Sequence, residues 1–271
     1  MLVVGAAVSF LPRGARARSR RLRLGLGALG ALLALVAVVM GAPARAYACG
    51  ASAGGAAGIS GCSLQEHDEE LRPKWRVGAA YAFTSTGLHF SGGLRVDEVR
   101  NSSLVELDYM PLKKLTLEAG AGAFLGGHIS APAGRFSLAP GVASILGASW
   151  RVVDPDGWIP FVLLSLQVSY VNSSAQREED ASAVGYNAFD LRGGLVVGTT
   201  FLRVFTPYVV GRGFGGPVYW RYQGAAVVGT DDHHWQVGAG FSLRIGRRFD
   251  VFAEGIPLGE LGVTAGAGFS F

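Results

Sequence analysis

The chain has 271 residues, 41 of them glycine, with only 16% charged residues and a mean hydropathy of +0.32. A soluble domain usually carries about 25% charged residues, yet no stretch after residue 42 stays apolar for the roughly 20 residues a membrane helix needs. The formal net charge of +4 is misleading: seven of the 24 basic residues and no acidic ones lie before residue 49, leaving 17 basic against 20 acidic, about −3, so nucleic acid is excluded as a partner.

Residues 1–48 have the order of a secretory signal. Arg13, Arg16, Arg18, Arg20, Arg21 and Arg23 form a basic start, and Leu24 to Met40 an apolar stretch. Ala44-Arg45-Ala46 or Ala46-Tyr47-Ala48 offers a small-x-small cleavage site. A retained membrane anchor over 24–40 is the rival reading. Residues 49–73 follow as a Gly/Ala-rich, then acidic, periplasmic segment. Its two cysteines, Cys49 and Cys62, would form a disulfide in an oxidising compartment. An acylated Cys49 or two free thiols are the other options.

From residue 74 to 271 the dominant period is two. Ten segments show it, at about 75–84, 103–110, 115–125, 136–152, 159–170, 186–198, 205–214, 235–245, 249–255 and 261–271. In the last, Leu261, Val263, Ala265, Ala267, Phe269 and Phe271 alternate with Gly262, Thr264, Gly266, Gly268 and Ser270. One face is apolar and the other small or polar, as the crowded interior of a narrow barrel requires. Connections after even-numbered segments are short, such as Pro111-Leu112-Lys113-Lys114, Asp154-Pro155-Asp156-Gly157 and Gly246-Arg247-Arg248. Those after odd ones (85–102, 126–135, 171–185 and 215–234) are long, and only 256–260 is short. Short periplasmic turns and long external loops are the habit of outer-membrane barrels.

Aromatic residues gather at both ends of these segments. Trp75, Tyr109, Trp150, Trp158, Phe205, Tyr208, Phe249 and Phe271 lie on the turn side, with Tyr81, Phe83, Tyr170, Tyr186 and Trp235 on the loop side. Two segments fit less well. In 136–152 both faces are apolar and Pro140 interrupts the ladder, which predicts a bulge. In 205–214 Tyr208, Val210, Arg212 and Phe214 share one face.

The fold class expected is all-β: an up-and-down antiparallel transmembrane β-barrel of about ten strands, with eight as the alternative count. A soluble periplasmic β-sandwich is the structural rival. The terminal Phe271, with Phe269 and the alternation before it, resembles the C-terminal signature strand of small bacterial outer-membrane barrels. The resemblance covers about 75–271 and is one of pattern. It implies outer-membrane localisation in a Gram-negative bacterium, contact with lipid and lipopolysaccharide, and recognition of Phe269 and Phe271 by the barrel-assembly machinery. A monomer is expected.

Alternation points Arg76, Glu106, Asp108, Glu118, Asp190, Arg192, Arg244 and Glu254 inward, as an internal polar network or as the lining of a narrow conduit. Asp231 and His233, in Asp231-Asp232-His233-His234, are weak catalytic candidates. Asp-x-His at a barrel rim resembles half of the omptin protease site, in which an Asp orients a His that activates water. The second acidic pair such a site needs has only Asp97-Glu98 as a candidate here. Adjacent histidines on a strand point to opposite faces, so no metal site is expected, and no cofactor. Tyr219-Trp220-Arg221-Tyr222 reads as a surface patch able to grip sugars or lipopolysaccharide. The function expected is structural or ligand-presenting and non-enzymatic, with a narrow pore and a rim hydrolase as alternatives.

Overall fold

The computed structural model describes residues 74–154, 159–177 and 183–271. The signal segment, Cys49, Cys62 and Trp158 lie outside the described residues. Among the described residues thirteen antiparallel strands form one sheet: β1 (Trp75–Phe90), β2 (Arg95–Leu112), β3 (Leu115–Ala131), β4 (Gly134–Leu138), β5 (Gly141–Val153), β6 (Phe161–Arg177), β7 (Ala183–Gly198), β8 (Phe205–Gly215), β9 (Val218–Tyr222), β10 (Ala225–Asp231), β11 (Trp235–Ile245), β12 (Phe249–Leu258) and β13 (Leu261–Ser270).

The sheet closes on itself twice. At the turn side the ring is β1-β2-β3-β5-β6-β7-β8-β11-β12-β13, ten strands, sealed where β13 pairs with β1 from Arg76↔Ser270 to Ser85↔Leu261. Above Ser85, β1 changes partner and pairs with β10 from Leu88↔Asp231 to Phe90↔Gly229. β7 likewise passes from β8 to β9, pairing Tyr186↔Trp220 and Ala188↔Val218. The outer ring is therefore β1-β2-β3-β4-β6-β7-β9-β10, eight strands. The β9–β10 hairpin arches over the short β12–β13 turn, which is why 256–260 alone is short among the outer connections. Gly259 in that turn has φ +86, and a Cβ there would lie 2.0 Å from the Trp235 carbonyl oxygen. Only glycine lets this turn lie so close to the start of β11.

Burial is inside-out in the ten-stranded part. Val105, Leu146, Leu166 and Val263 are each more than half exposed, while Arg76, Asp108, Asp250 and Glu254, at 0–2%, are enclosed. Ten tilted residues span the hydrocarbon layer of a bilayer, about the length of β1 from Trp75 to Thr84. Beyond it the polarity reverses. Ser85, Gly87 and His89 face out, whereas Leu88 and Phe90 are buried. In β9 Tyr219 and Arg221 face out and Val218 and Trp220 in. This reversal marks the water boundary on the outer side. Tyr81 Oη donates to Asn101 Oδ1 (2.6 Å) and Tyr170 Oη to Asn187 Oδ1 (3.0 Å) at that level.

The long outer loops expected from sequence are mostly strand. β1, β2, β3, β6 and β7 run on past the membrane, and 215–234 holds β9 and β10. The reversal of polarity hid them, because alternation referred to lipid fails once the outside is water. The bulge expected near Pro140 is a full break: Ala139-Pro140 separates β4 from β5, with Phe136 and Leu138 buried before it and Ala143 and Ile145 after. The inward parity flips across the break, which is why the whole segment looks apolar on both faces. Two expected girdle aromatics, Tyr186 and Tyr208, face the interior instead. Trp75, Trp150, Phe205, Phe249 and Phe271 are exposed at the turn side, with Tyr109 stacked 4.3 Å from Trp75.

Small residues on the inner wall make room for the large ones. A Cβ on inward Gly266 would stand 2.6 Å from the Ala79 carbonyl oxygen and 2.6 Å from the Phe252 ring. At Gly193 an added Cβ meets nothing within 4 Å. Gly266→Val is expected to destabilise the barrel by about 1–3 kcal/mol and Gly193→Val by well under 1 kcal/mol, read from urea unfolding in detergent. Equal losses at the two sites would contradict the packed interior.

Candidate functional site

The interior is a stack of layers built by the even-numbered residues of most strands. Near the turn side Arg76 of β1 reaches β2 on one side and, across β13, β12 on the other. Its Nη1 donates to Asp108 Oδ2 of β2 (3.0 Å), and its Nε and Nη2 to Asp250 of β12 (3.1 and 3.0 Å). Its guanidinium lies over Gly268 of β13, where a Cβ would come within 1.7 Å of Nη2. All three charged side chains are fully buried. Ions taken out of water cost several kcal/mol each unless paired, and a two-carboxylate clamp around one arginine supplies that pairing.

A second group crosses the middle of the lumen. Arg212 of β8 donates to both oxygens of Glu254 of β12 (2.7 and 2.9 Å), and Tyr208 Oη adds 3.1 Å to Glu254 Oε2. A third lies at the outer boundary beneath the arch. Glu260, in the β12–β13 turn, accepts from Arg192 of β7 (2.6 Å) and Arg100 of β2 (3.1 Å). Arg192 also bonds Asp190, reaches Gln236 (3.4 Å) and covers the Phe214 ring at 4.9 Å. Arg100 stands 3.5 Å from Glu98, which accepts a bond from the buried Tyr186 hydroxyl. A cavity of about 30 Å³ beside Arg100, Arg192, Asp190 and Ser102 has room for a water.

Above this belt the eight-stranded turret is apolar inside. Trp220 packs edge-on against Phe136 (4.9 Å), with Phe90 at 5.7 Å and Tyr222 at 5.0 Å; Ile129 and Leu138 are buried in the same cluster. Burying such a side chain stabilises by about 1.5–3 kcal/mol, so the turret has a core of its own.

Each residue named from the sequence has a definite place. Arg76, Glu106, Asp108, Glu118, Asp190, Arg192, Arg244 and Glu254 are all buried. Alternation did not flag Glu98, Arg100 and Glu260, which lie in segments read as loops. Asp250 and Tyr186 were legible by parity, since they stand an even number of residues from Glu254 and Asp190 on the same strands; Arg212 shares its face with Tyr208, an expected girdle aromatic, so parity did not place it. The Tyr219–Tyr222 patch is divided: Tyr219 and Arg221 are exposed, and Trp220 is in the turret core. Asp231 and His233 are not brought together. Asp231 is buried and accepts from Thr86 Oγ1 (3.3 Å), whereas His233 is exposed. Asp97 is exposed, and its neighbour Glu98 is sealed inside. The acid–histidine contact at the rim is another pair, His89 Nδ1 and Asp232 at 4.0 Å. Among the described residues no group of three or more His, Cys, Asp or Glu could hold a metal ion. Phe269 and Phe271 are exposed on the outward face.

Two outcomes test this interior. Arg76→Met removes the guanidinium that bridges the buried Asp108 and Asp250, and is expected to cost about 3–5 kcal/mol; Arg76→Met combined with Asp108→Asn and Asp250→Asn should recover much of it. Asp231 lies beyond the outer aromatic level, at the height of Leu88. Burial, reinforced by Asp190 and Glu260 and opposed by Arg100 and Arg192, pushes its carboxyl up to about 7. The unfolded carboxyl ionises near its ordinary value of about 3.9, so between these values the folded chain holds the extra proton. Stability should then fall as pH rises from about 4 to 7 and level off above. Asp231→Asn should flatten that slope in thermal unfolding across the same range.

No protein-family model matches the chain, and no curated protein is similar to it. Among solved structures it is similar to the translocator domain of the autotransporter NalP from Neisseria meningitidis, at 13% identity and TM-score 0.45, over 75% of this chain and 90% of that one. It is also similar to the outer membrane protease OmpT from Escherichia coli (12%, 0.46, 75% and 99%). A third is the outer membrane protein OprG from Pseudomonas aeruginosa (12%, 0.43, 73% and 96%). A closed antiparallel ring, apolar outward over one membrane thickness and ion-paired inward, can be dissolved only in lipid. The described part of this chain is a closed transmembrane β-barrel.

Proposed function

We propose that the barrel is non-enzymatic, works with its lumen closed, and serves as a rigid platform that holds an outer turret above the membrane. The observation that carries this reading is the dryness of the inward side chains at every level. Arg76, Glu98, Asp108, Gln236, Asp250, Glu254 and Glu260 are each 0–2% exposed. In a conducting barrel the charged groups that line the lumen would be wetted. Here three ion-paired layers span the bore, and the Trp220–Phe136–Phe90 cluster closes the outer end. The turret then offers polar hairpin surfaces, with Tyr219 and Arg221 on its outside, to lipopolysaccharide or another external ligand. The outward Phe269 and Phe271 on the closing strand suit recognition by the assembly machinery before β13 finds β1. The separation of Asp231 from His233 speaks against a rim hydrolase.

Reconstitution in a planar bilayer tests the reading. The barrel is expected to add no unit conductance steps above the bare membrane. Regular steps that change when Arg76 or Glu118 is neutralised would instead make it a narrow pore.

A further inference from the structure

Among the described residues the turn-side rim of the barrel is strongly basic, which the closed lumen does not explain. Lys74 precedes β1, Lys113 and Lys114 make the β2–β3 turn, Arg203 lies in the β7–β8 turn, and Arg247 and Arg248 in the β11–β12 turn. Lys74, Lys113, Arg203, Arg247 and Arg248 are all exposed. Among the described residues the exposed acidic side chain in these turns is Asp154, which lies 2.7 Å from Lys114, so basic side chains outnumber acidic ones there. At the outer end, by contrast, the exposed Arg95, Arg135 and Arg221 are accompanied by Asp97 and Asp232.

Depth decides what this charge can meet. Lys74 is next to Trp75, Arg248 is next to Phe249, and Arg203 is two residues from Phe205, and these three aromatics are exposed toward lipid. The cations thus sit at the headgroup edge of the hydrocarbon layer. Tight turns cannot carry them far beyond it, so a polymer lying deeper in the periplasm is out of reach. Cationic side chains at that depth are drawn to anionic headgroups and let their aliphatic stems run along the apolar wall. We infer that the turn-side rim is a binding collar for anionic phospholipid headgroups of the inner leaflet, which anchors the barrel at fixed depth. The inference rests on the membrane orientation of the barrel and is independent of whether its lumen conducts.

The test compares the folded full-length protein in vesicles of phosphatidylcholine with vesicles in which about a third of the lipid is phosphatidylglycerol. Thermal unfolding is followed by loss of the fast-migrating folded band. The wild type is expected to melt several degrees higher in the anionic vesicles, and about 1 M salt should erase the gap by screening. In the variant Lys113→Gln, Arg203→Gln, Arg247→Gln, Arg248→Gln the two lipids should give the same midpoint. If that variant does not fold, the salt series on the wild type decides. Equal wild-type midpoints in the two lipids, a gap that survives salt, or a variant that keeps the whole gap would overturn the collar. So would wild-type sedimentation with purified peptidoglycan, lost in the variant, without any lipid difference.

Discussion

Hydrocarbon offers no hydrogen bonds, and the rest of this structure follows from that. Each backbone amide or carbonyl left unpaired in lipid costs several kcal/mol. A sheet can cross a membrane only if its first and last strands find each other. Here β1 and β13 do so over ten residue pairs, from Arg76↔Ser270 to Ser85↔Leu261, and Trp75 and Phe271 exchange both backbone bonds at the end of the seam. Closure fixes the inside and the outside of every strand, and with them where each charge has to go.

The second consequence concerns the bore. Ten strands enclose a lumen narrow enough for side chains from opposite walls to meet. Glycines such as Gly266 and Gly268 on one wall admit Phe252 and Arg76 from others. The polar groups that lipid rejects are thereby brought within bonding distance. Arg76 with two aspartates, Arg212 with Glu254, and Arg192 and Arg100 with Glu260 are the results. Once water replaces lipid outside, the same strands turn their apolar residues inward, and the arch of β9 and β10 reduces the ring from ten strands to eight. Barrel and turret are one sheet obeying two solvents.

How much of this was legible in the sequence depends on which solvent a segment meets. Where lipid is outside, parity alone orders the residues: Val105 and Leu107 out, Glu106 and Asp108 in. The same parity already held Tyr186 to the side of Asp190 and Arg192, and weighting it above aromatic position would have placed that ring inside. Above the membrane the rule inverts, so Leu88, Phe90 and Trp220 carry no warning that they form a core. Local breaks add to the difficulty. The bulge opposite Asn101 and Ser102, where Gly126 takes φ +104, shifts the parity of β3, so that Phe124 and Ile129 are both buried. Glu260 was the least accessible of all. It occupies a two-residue turn, and only the arch above it makes that turn interior.

The central claim is that one face of each strand is bathed in lipid chains and the other is sealed from them. Side-chain NMR of the barrel in hydrogenated detergent measures this directly through intermolecular contacts between detergent chains and methyl groups. Val105, Leu107, Leu146 and Leu166 should show strong contacts, and Leu104, Ile145 and Leu163 none. Contacts to Leu104 and Ile145, with Leu107 and Leu146 shielded, would mean that the sheet is packed the other way round.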